Sequence, residues 1–319
     1  MAEIGVDIER AVHFLKKGDV IGMPTETVYG LAGNALDGNA VLKIYEVKNR
    51  PKFDPIIAHT YSIDKVKEYV EAIPEKATAL AKAFWPGPMT LLLKRNTSIP
   101  DILTSGLPDI AVRIPRHDLT LKLLKSIDFP LAAPSANPFG YISPTTAAHV
   151  SDQLGNKIPY ILEGGPCSVG LESTIIGFDT NQNPVIHRLG GMKVEEIEKV
   201  VGKVKLKLNV SSNPLAPGML KTHYAPDKKL FIGRIPDLID RYQHMKLGII
   251  SFKDTYQHVP IENQIVLSKK GDLGEAAKSL FGALRKMDQM EIDYILTQKF
   301  PDEGLGRAIN DRLKRAAYQ

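Results

Sequence analysis

Short apolar runs alternate with amphipathic stretches of helical period along the first half of the chain, and this alternation narrows the fold to an α/β architecture. Residues 7–17 open the pattern: Ile8, Val12, Phe14 and Leu15 lie on one helical stripe, and 19–23 follow as a strand running into Pro24. Further strands are predicted over 55–59, 89–93, 109–114, 131–133, 174–178 and 185–189. Helices are predicted over 40–47, 63–70, 76–84, 119–127 and 145–154. Interleaving of this kind predicts a twisted mixed sheet with flanking helices.

After Val204 the pattern dissolves into a stretch with three prolines, a Pro-Gly pair and a serine pair, in which no regular element is expected. It reads as a linker, long enough to carry a function of its own. Beyond it, strands over 229–235, 247–252 and 292–296 and helices over 273–287 and 305–317 predict a smaller, Rossmann-like α/β domain. The expected division is 1–206, a linker at 207–227 and a second domain at 228–319. A chain of 319 residues, 43% of them hydrophobic, can bury two such cores.

No apolar run approaches the roughly 20 residues that span a bilayer, and M-A-E-I-G-V-D-I-E-R lacks the profile of a secretory signal, so a cytoplasmic protein without membrane contact is expected. The single cysteine, Cys167, excludes an internal disulfide framework and a cysteine-based zinc site within one chain; it reads as packing filler. With 41 basic residues against 36 acidic ones, the net charge of +5 suits an anionic partner but does not separate RNA from a nucleotide. The basic C-terminal run R-L-K-R-A-A-Y reads as a solvated helix end.

Five clusters carry chemistry. P-T-E-T-V-Y-G (24–30) places hydroxyls and a carboxylate at a strand end, where α/β sites are common, although the same pattern fits a turn or a helix cap. In V-K-N-R-P-K-F-D-P-I-I-A-H, Lys48 and Arg50 stand two apart and would share one face of an extended segment, a point charge and a fork that suit a polyphosphate; a solvated basic loop is the alternative. His59 ends the following strand, where a buried, hydrogen-bonded histidine is the ordinary role. In I-A-V-R-I-P, alternation sets Ile110, Val112 and Ile114 on one face and Ala111 with Arg113 on the other. An arginine there needs an anion, either a structural carboxylate or a ligand.

P-S-A-N-P-F-G-Y-I-S-P-T follows, in which Ser143 and Pro144 have the form of an N-cap and first helical residue. Free amides at that start, with Ser135, Asn137 and Ser143, would make a neutral anion cradle, and no Walker motif or strand-linked G-x-G-x-x-G competes with it. Finally, E-G-G-P-C-S-V-G-L-E-S-T-I-I-G sets a glycine loop before Ser173 and Thr174 at a strand start, and Arg188 closes the next strand.

Together these segments resemble the YrdC-type threonylcarbamoyl-adenylate synthases in their long two-domain form, over nearly the whole chain. The likeness rests on P-T-E-T-V-Y-G-L-A, K-N-R-P with P-I-I-A-H, A-V-R-I-P, A-P-S-A-N-P-F-G with S-P-T, G-L-E-S-T-I-I, and P-G-M-L-K-T-H-Y-A-P in the linker. It implies a threonine site at Thr27, His59, Arg113, Ala133 and Ser173, with Arg113 on the amino acid's carboxylate and Thr27 and His59 on its hydroxyl. It implies an ATP site at Lys48, Arg50, Asp54, Ser135, Asn137, Ser143 and Arg188, with His223 or Tyr224 reaching in from the linker, which would act as a lid. Asp54 stands where asparagine is common, and Pro108-Asp109 where Asp-Thr is typical.

The implied reaction makes a carbamate from threonine and bicarbonate, whose oxygen attacks the α-phosphorus of ATP and expels pyrophosphate. Lys48 and Arg50 would be catalytic, Mg²⁺ would assist without a protein side chain assigned to it, and the product would serve a separate threonylcarbamoyl transferase acting on tRNA. The enzyme is read as a monomer. Two rivals are an RNA-binding module, disfavoured by 7% aromatics not interleaved with cations, and a carbamoyl-transfer enzyme of the hydrogenase-maturation type, whose zinc fingers one cysteine cannot supply.

Overall fold

The computed structural model describes residues 1–208 and 224–317. Within them, one large sheet holds β1 (Glu3–Gly5), β2 (Ile21–Met23), β3 (Gly30–Asn34), β4 (Ala58–His59), β5 (Met89–Lys94), β6 (Asp109–Arg113), β7 (Leu131–Ala132), β8 (Tyr160–Leu162), β9 (Thr174–Phe178), β10 (Pro184–Arg188) and β11 (Lys205–Leu206). Their spatial order is β1-β8-β2-β3-β7-β4-β6-β5-β9-β10-β11. Parallel pairs such as β4 with β6 and β5 with β9 alternate with antiparallel ones such as β2 with β3 and β5 with β6, which makes the sheet mixed. The helices α1 (Ile8–Lys16), α2 (Gly38–Lys48), α3 (Ile63–Lys67), α4 (Glu75–Phe84), α5 (Asp101–Thr104), α6 (Asp118–Lys125), α7 (Ala147–Leu154) and α8 (Val194–Val201) flank it.

A second sheet orders its strands β12-β15-β13-β14, from β12 (Lys229–Ile232), β13 (Leu247–Ser251), β14 (Gln264–Val266) and β15 (Tyr294–Thr297). Every pairing in it is parallel, as crossover connections through α9 (Ile235–Arg241) and α10 (Leu273–Gln289) require; α11 (Gly306–Ala316) follows. This is the second, smaller α/β domain.

Local chemistry sets the elements. Asp7 caps α1 by accepting from the Arg10 amide at 3.1 Å, and the stripe predicted from the sequence buries Leu15, with Ile8, Val12 and Phe14 packed at the edge of the same cluster. Burying one such leucine contributes about 1.5–3 kcal/mol. The alternation read in β6 holds: Ile110, Val112 and Ile114 join the main core, whereas Ala111 meets Ile57, Leu92 and Ile175 on the other face. One apolar cluster runs through both domains and contains Val28, Tyr29, Tyr224, Phe281 and Leu313.

Three local expectations are corrected. Lys48 and Arg50 do not lie on an extended segment: Lys48 is the last residue of α2, and Asn49 ends the helix in the left-handed region at φ 52°. The helix expected at Ser143 begins instead at Ala147, where Thr146 caps it by accepting from the His149 amide at 3.2 Å. The C-terminal basic run is not a solvated end, because Arg312 and Arg315 are buried.

Candidate active site

A partly open cavity lies in the first domain. It lies over a sheet face rather than at a strand rim. Side chains two apart along a strand share a face, so Ile57 with His59, Ala111 with Arg113, and Ser173 with Ile175 point to the same side. Ile57, Leu92, Ala111 and Ile175 form an apolar patch there, and Ile57, His59, Arg113 and Ser173 line the cavity.

One wall is the β2–β3 loop. Thr25 organises it: its Oγ1 accepts from the Thr27 and Val28 amides at 3.1 and 3.2 Å and donates to the Val28 carbonyl at 2.6 Å. That turn points Thr27 into the cavity, with its hydroxyl 2.8 Å from that of Thr25. Gly30 follows, and a Cβ there would sit 3.0 Å from Cβ of Ala133, so glycine lets β3 approach the cavity-lining Ala133–Ser135 segment.

Arg113 is committed on three sides. Its Nε donates to the Gly87 carbonyl at 3.2 Å, its Nη1 donates to Thr27 Oγ1 at 2.8 Å, and its Nη2 stands 2.7 Å from a Glu26 carboxylate oxygen. Both members of the Glu26 pair are almost fully buried. The sequence left a structural pair and a ligand carboxylate open for Arg113; it has the structural pair, yet it also lines the cavity, and five N–H groups leave capacity for a further anion. Glu26, inside the quoted motif, went unassigned in the sequence.

His59 pairs with Arg113 in register across β4 and β6, and burial together with the Arg113 charge lowers its pKa to about 3. The imidazole is therefore neutral. Its Nδ1 is buried without a hydrogen-bond partner among the described residues, an arrangement that costs free energy unless a ligand group meets it.

Arg50 also lines the cavity. Its Nε and Nη2 donate to the carbonyls of Asp54 and Pro55 at 3.0 and 2.8 Å, and Nη2 pairs with the fully buried Asp54 carboxylate at 2.9 Å. Asp54 thus holds Arg50 in place and is not itself on the cavity lining. Lys48 is also off the lining: its ammonium donates to the carbonyls of Ser135 and Asn137 and so braces that loop from behind. Burial and the neighbouring Arg50 push the Lys48 pKa well below its usual value.

Asn137 and Ser143 are likewise off the cavity lining, Asn137 donating to the Pro138 and Tyr141 carbonyls at 2.8 and 2.9 Å and Ser143 to a carboxylate oxygen of the cavity-lining Glu172 at 2.5 Å. Arg188, Ser173 and Tyr224 complete the lining. Arg188 donates twice to the Ser173 carbonyl, at 3.1 and 3.0 Å, and once to its hydroxyl, at 3.1 Å; burial lowers its pKa to about 10. Glu172 was also missed, although it sits in the G-L-E-S-T segment. His223 lies outside the described residues.

Of the residues assigned from the resemblance, Thr27, Arg50, His59, Arg113, Ala133, Ser135, Ser173, Arg188 and Tyr224 therefore meet around one cavity. Three guanidinium groups, a neutral imidazole and several hydroxyls can hold a polyanion beside a small zwitterion.

Comparison with known proteins decides the family. Residues 13–190 match the Sua5–YciO–YrdC family model, described as "Telomere recombination", and residues 192–318 match that described as "Threonylcarbamoyl-AMP synthase, C-terminal domain". Threonylcarbamoyl-AMP synthase of Pyrococcus abyssi is 39% identical over 97% of this chain and 94% of its own length. The chain belongs to the threonylcarbamoyl-AMP synthase family. The Bacillus subtilis member is 38% identical over 97% of this chain and 92% of its own length. The crystal structure of P. abyssi Sua5 complexed with L-threonine superposes on this synthase-family fold with a TM-score of 0.90, covering 97% of this chain and 94% of that one at 39% identity. Escherichia coli YciO, at 24% identity and a TM-score of 0.53 over 60% of this chain, shares the fold of the first domain.

Proposed function

We propose that this chain condenses L-threonine, bicarbonate and ATP into threonylcarbamoyl-AMP with release of pyrophosphate, supplying the activated group for threonylcarbamoyl modification of tRNA. The observation that carries the reading is the convergence of Arg50, Arg113 and Arg188 with a neutral His59 on one cavity in a chain of this family.

Threonine lies with its carboxylate against the remaining N–H groups of Arg113 and its hydroxyl between Thr27 and the unpartnered His59 Nδ1. A polar partner for that hydroxyl is needed, because an apolar pocket discriminates isosteres by only about a hundredfold. Ala133 and Ser173 bound the amino acid. The triphosphate runs toward Arg50, Ser135 and Arg188. Lys48 acts through the loop it braces, by its bonds to the Ser135 and Asn137 carbonyls, and Asp54, Asn137 and Ser143 support their neighbours around the cavity. Tyr224, on the cavity lining, meets the nucleotide.

The threonine amine takes up carbon dioxide, and a carbamate oxygen then attacks the α-phosphorus as pyrophosphate leaves. No covalent enzyme intermediate forms. What the protein contributes is alignment and pre-placed positive charge, most effective where water is excluded. Mg²⁺ would accompany ATP and offset the charge of its phosphates, with no protein side chain assigned to it. The catalytic domain at 1–206 does this chemistry, and the product passes to a separate transferase. Among the described residues, no helix is long and apolar enough to cross a membrane.

Pyrophosphate release measured with and without threonine and bicarbonate tests the reading. Both are required if it is right; release that needs neither, or that needs carbamoyl phosphate, rejects it. Lys48→Ala and Arg50→Ala each depress turnover in the same assay.

A further inference from the structure

Glu172 is the one acidic side chain on the cavity lining among the described residues. A bare carboxylate there would repel a triphosphate, and both of its oxygens are turned to partners instead. One accepts from Ser143 Oγ at 2.5 Å; the other accepts from Arg312 Nε at 2.9 Å. Arg312 belongs to α11 of the second domain and is fully buried. Its Nη2 donates to the Leu189 carbonyl at 2.8 Å, next to the cavity-lining Arg188, and its guanidinium lies over the Tyr224 ring at 5.0 Å. Tyr224 in turn stacks on Phe281 of α10 at 5.5 Å.

We propose that Arg312 is a positioning residue for the nucleotide: from the second domain it neutralises Glu172 and fixes Tyr224 and the Leu189 carbonyl, and thereby shapes the cavity wall that faces ATP. The proposal rests on the synthase reading. The second domain is held against this wall by further contacts. Arg285 of α10 donates to the Ser143 carbonyl at 3.3 Å and to Gln153 Oε1 at 2.9 Å, and Gly170, at φ +76°, lies so close to α10 that a Cβ would meet the Lys278 backbone at 2.5 Å. The second domain is thus part of the active site's construction. Lysine cannot replace Arg312, because a single ammonium cannot pair with Glu172, reach the Leu189 carbonyl and cover the tyrosine ring together.

The test is steady-state kinetics of Arg312→Lys with ATP and threonine varied separately, and thermal unfolding as the check on folding. The expected result is an ATP KM raised by about 10-fold, the size usual for outer-shell partners of a bound ion, with a threonine KM within about twofold of wild type. A purely structural role lowers the active fraction and moves neither KM. An unchanged ATP KM, or equal rises in both constants, overturns the proposal.

Should Arg312→Lys not fold, the Glu172→Gln/Arg312→Gln pair answers the same question by the same criteria, since it keeps a hydrogen bond and removes the charges. Wild-type protein with no threonine-dependent pyrophosphate release would sink the synthase reading instead. Calorimetric affinity of the same variants for a non-hydrolysable ATP analogue would then still decide the role of Arg312, with unchanged affinity counting against it.

Discussion

The two sheets treat charge in opposite ways. Over one face of the large sheet, Glu26, Arg50, Asp54, His59, Arg113, Glu172 and Arg188 are all buried, a concentration that folding alone does not favour. The second domain has an apolar interior: among the described residues its buried polar groups are Ser251, Ser268 and Thr297, and its buried charged groups are Arg285, Arg312 and Arg315. Among the described residues, Arg285 bonds to the Ile142–Ser143 carbonyls of the first domain and Arg312 to Glu172. Buried charge thus gathers around the cavity and where one domain is fastened to the other, whereas the remainder of the second domain is held by ordinary packing.

Removing one member of a buried pair should produce the largest effect. Arg113→Ala leaves Glu26 buried and uncompensated and is expected to cost about 3–5 kcal/mol in urea unfolding. The same change should raise the threonine KM by at least about 30-fold, the equivalent of about 2 kcal/mol. Glu26→Gln/Arg113→Met should recover most of the stability and none of the threonine affinity, which separates the two roles of Arg113. In the second domain, Leu296→Ala empties a fully buried position in the cluster of Ile235, Ile249 and Val259. We expect a loss of about 2–5 kcal/mol with kcat/KM per folded molecule unchanged; a selective change in either KM would erase the contrast between the sheets.

His59 gives a pH-dependent signature, modest per pH unit. Its pKa falls from 6.5 to about 3 on folding through burial and the Arg113 charge. The unfolded chain therefore binds a proton below pH 6.5 that the native one refuses, so this contribution is complete above about 6.5 and is lost as pH falls toward 3. The wild-type unfolding free energy should decline over that window more steeply than that of His59→Gln, by up to about 1.4 kcal/mol per pH unit. The smallest effect belongs to the exposed loop after β14: Lys269→Ala should change stability by less than about 0.5 kcal/mol and leave kinetics unaltered.

How much of this was legible in the sequence varied with the range of the interactions. Strand β9 coincides with the predicted 174–178, and the two faces of β6 follow from alternation, because both depend on residues two apart. Strand β3, G-L-A-G-N, was missed because glycine and alanine carry little strand signal; pairing with β2 and β7 makes it a strand. The end of α2 was readable in principle, since asparagine commonly takes the left-handed position that Asn49 occupies, and it decides why Lys48 and Arg50 part company. At 143–147, Thr146 rather than Ser143 wins the cap, and both have the right chemistry. Arg312 was beyond reach: besides the adjacent Asp311, its partner on the cavity wall, Glu172, lies 140 residues away in the chain, and its own neighbourhood reads as a solvated helix.

The central claim is that one cavity holds the amino acid and the nucleotide together, and a crystal structure with L-threonine and a non-hydrolysable ATP analogue tests it most directly. The account predicts the threonine carboxylate on Arg113, its hydroxyl beside Thr27 and His59, and the phosphates between Arg50 and Arg188 within reach of the amine. Nucleotide bound elsewhere on the molecule, with threonine alone in the cavity, would contradict it.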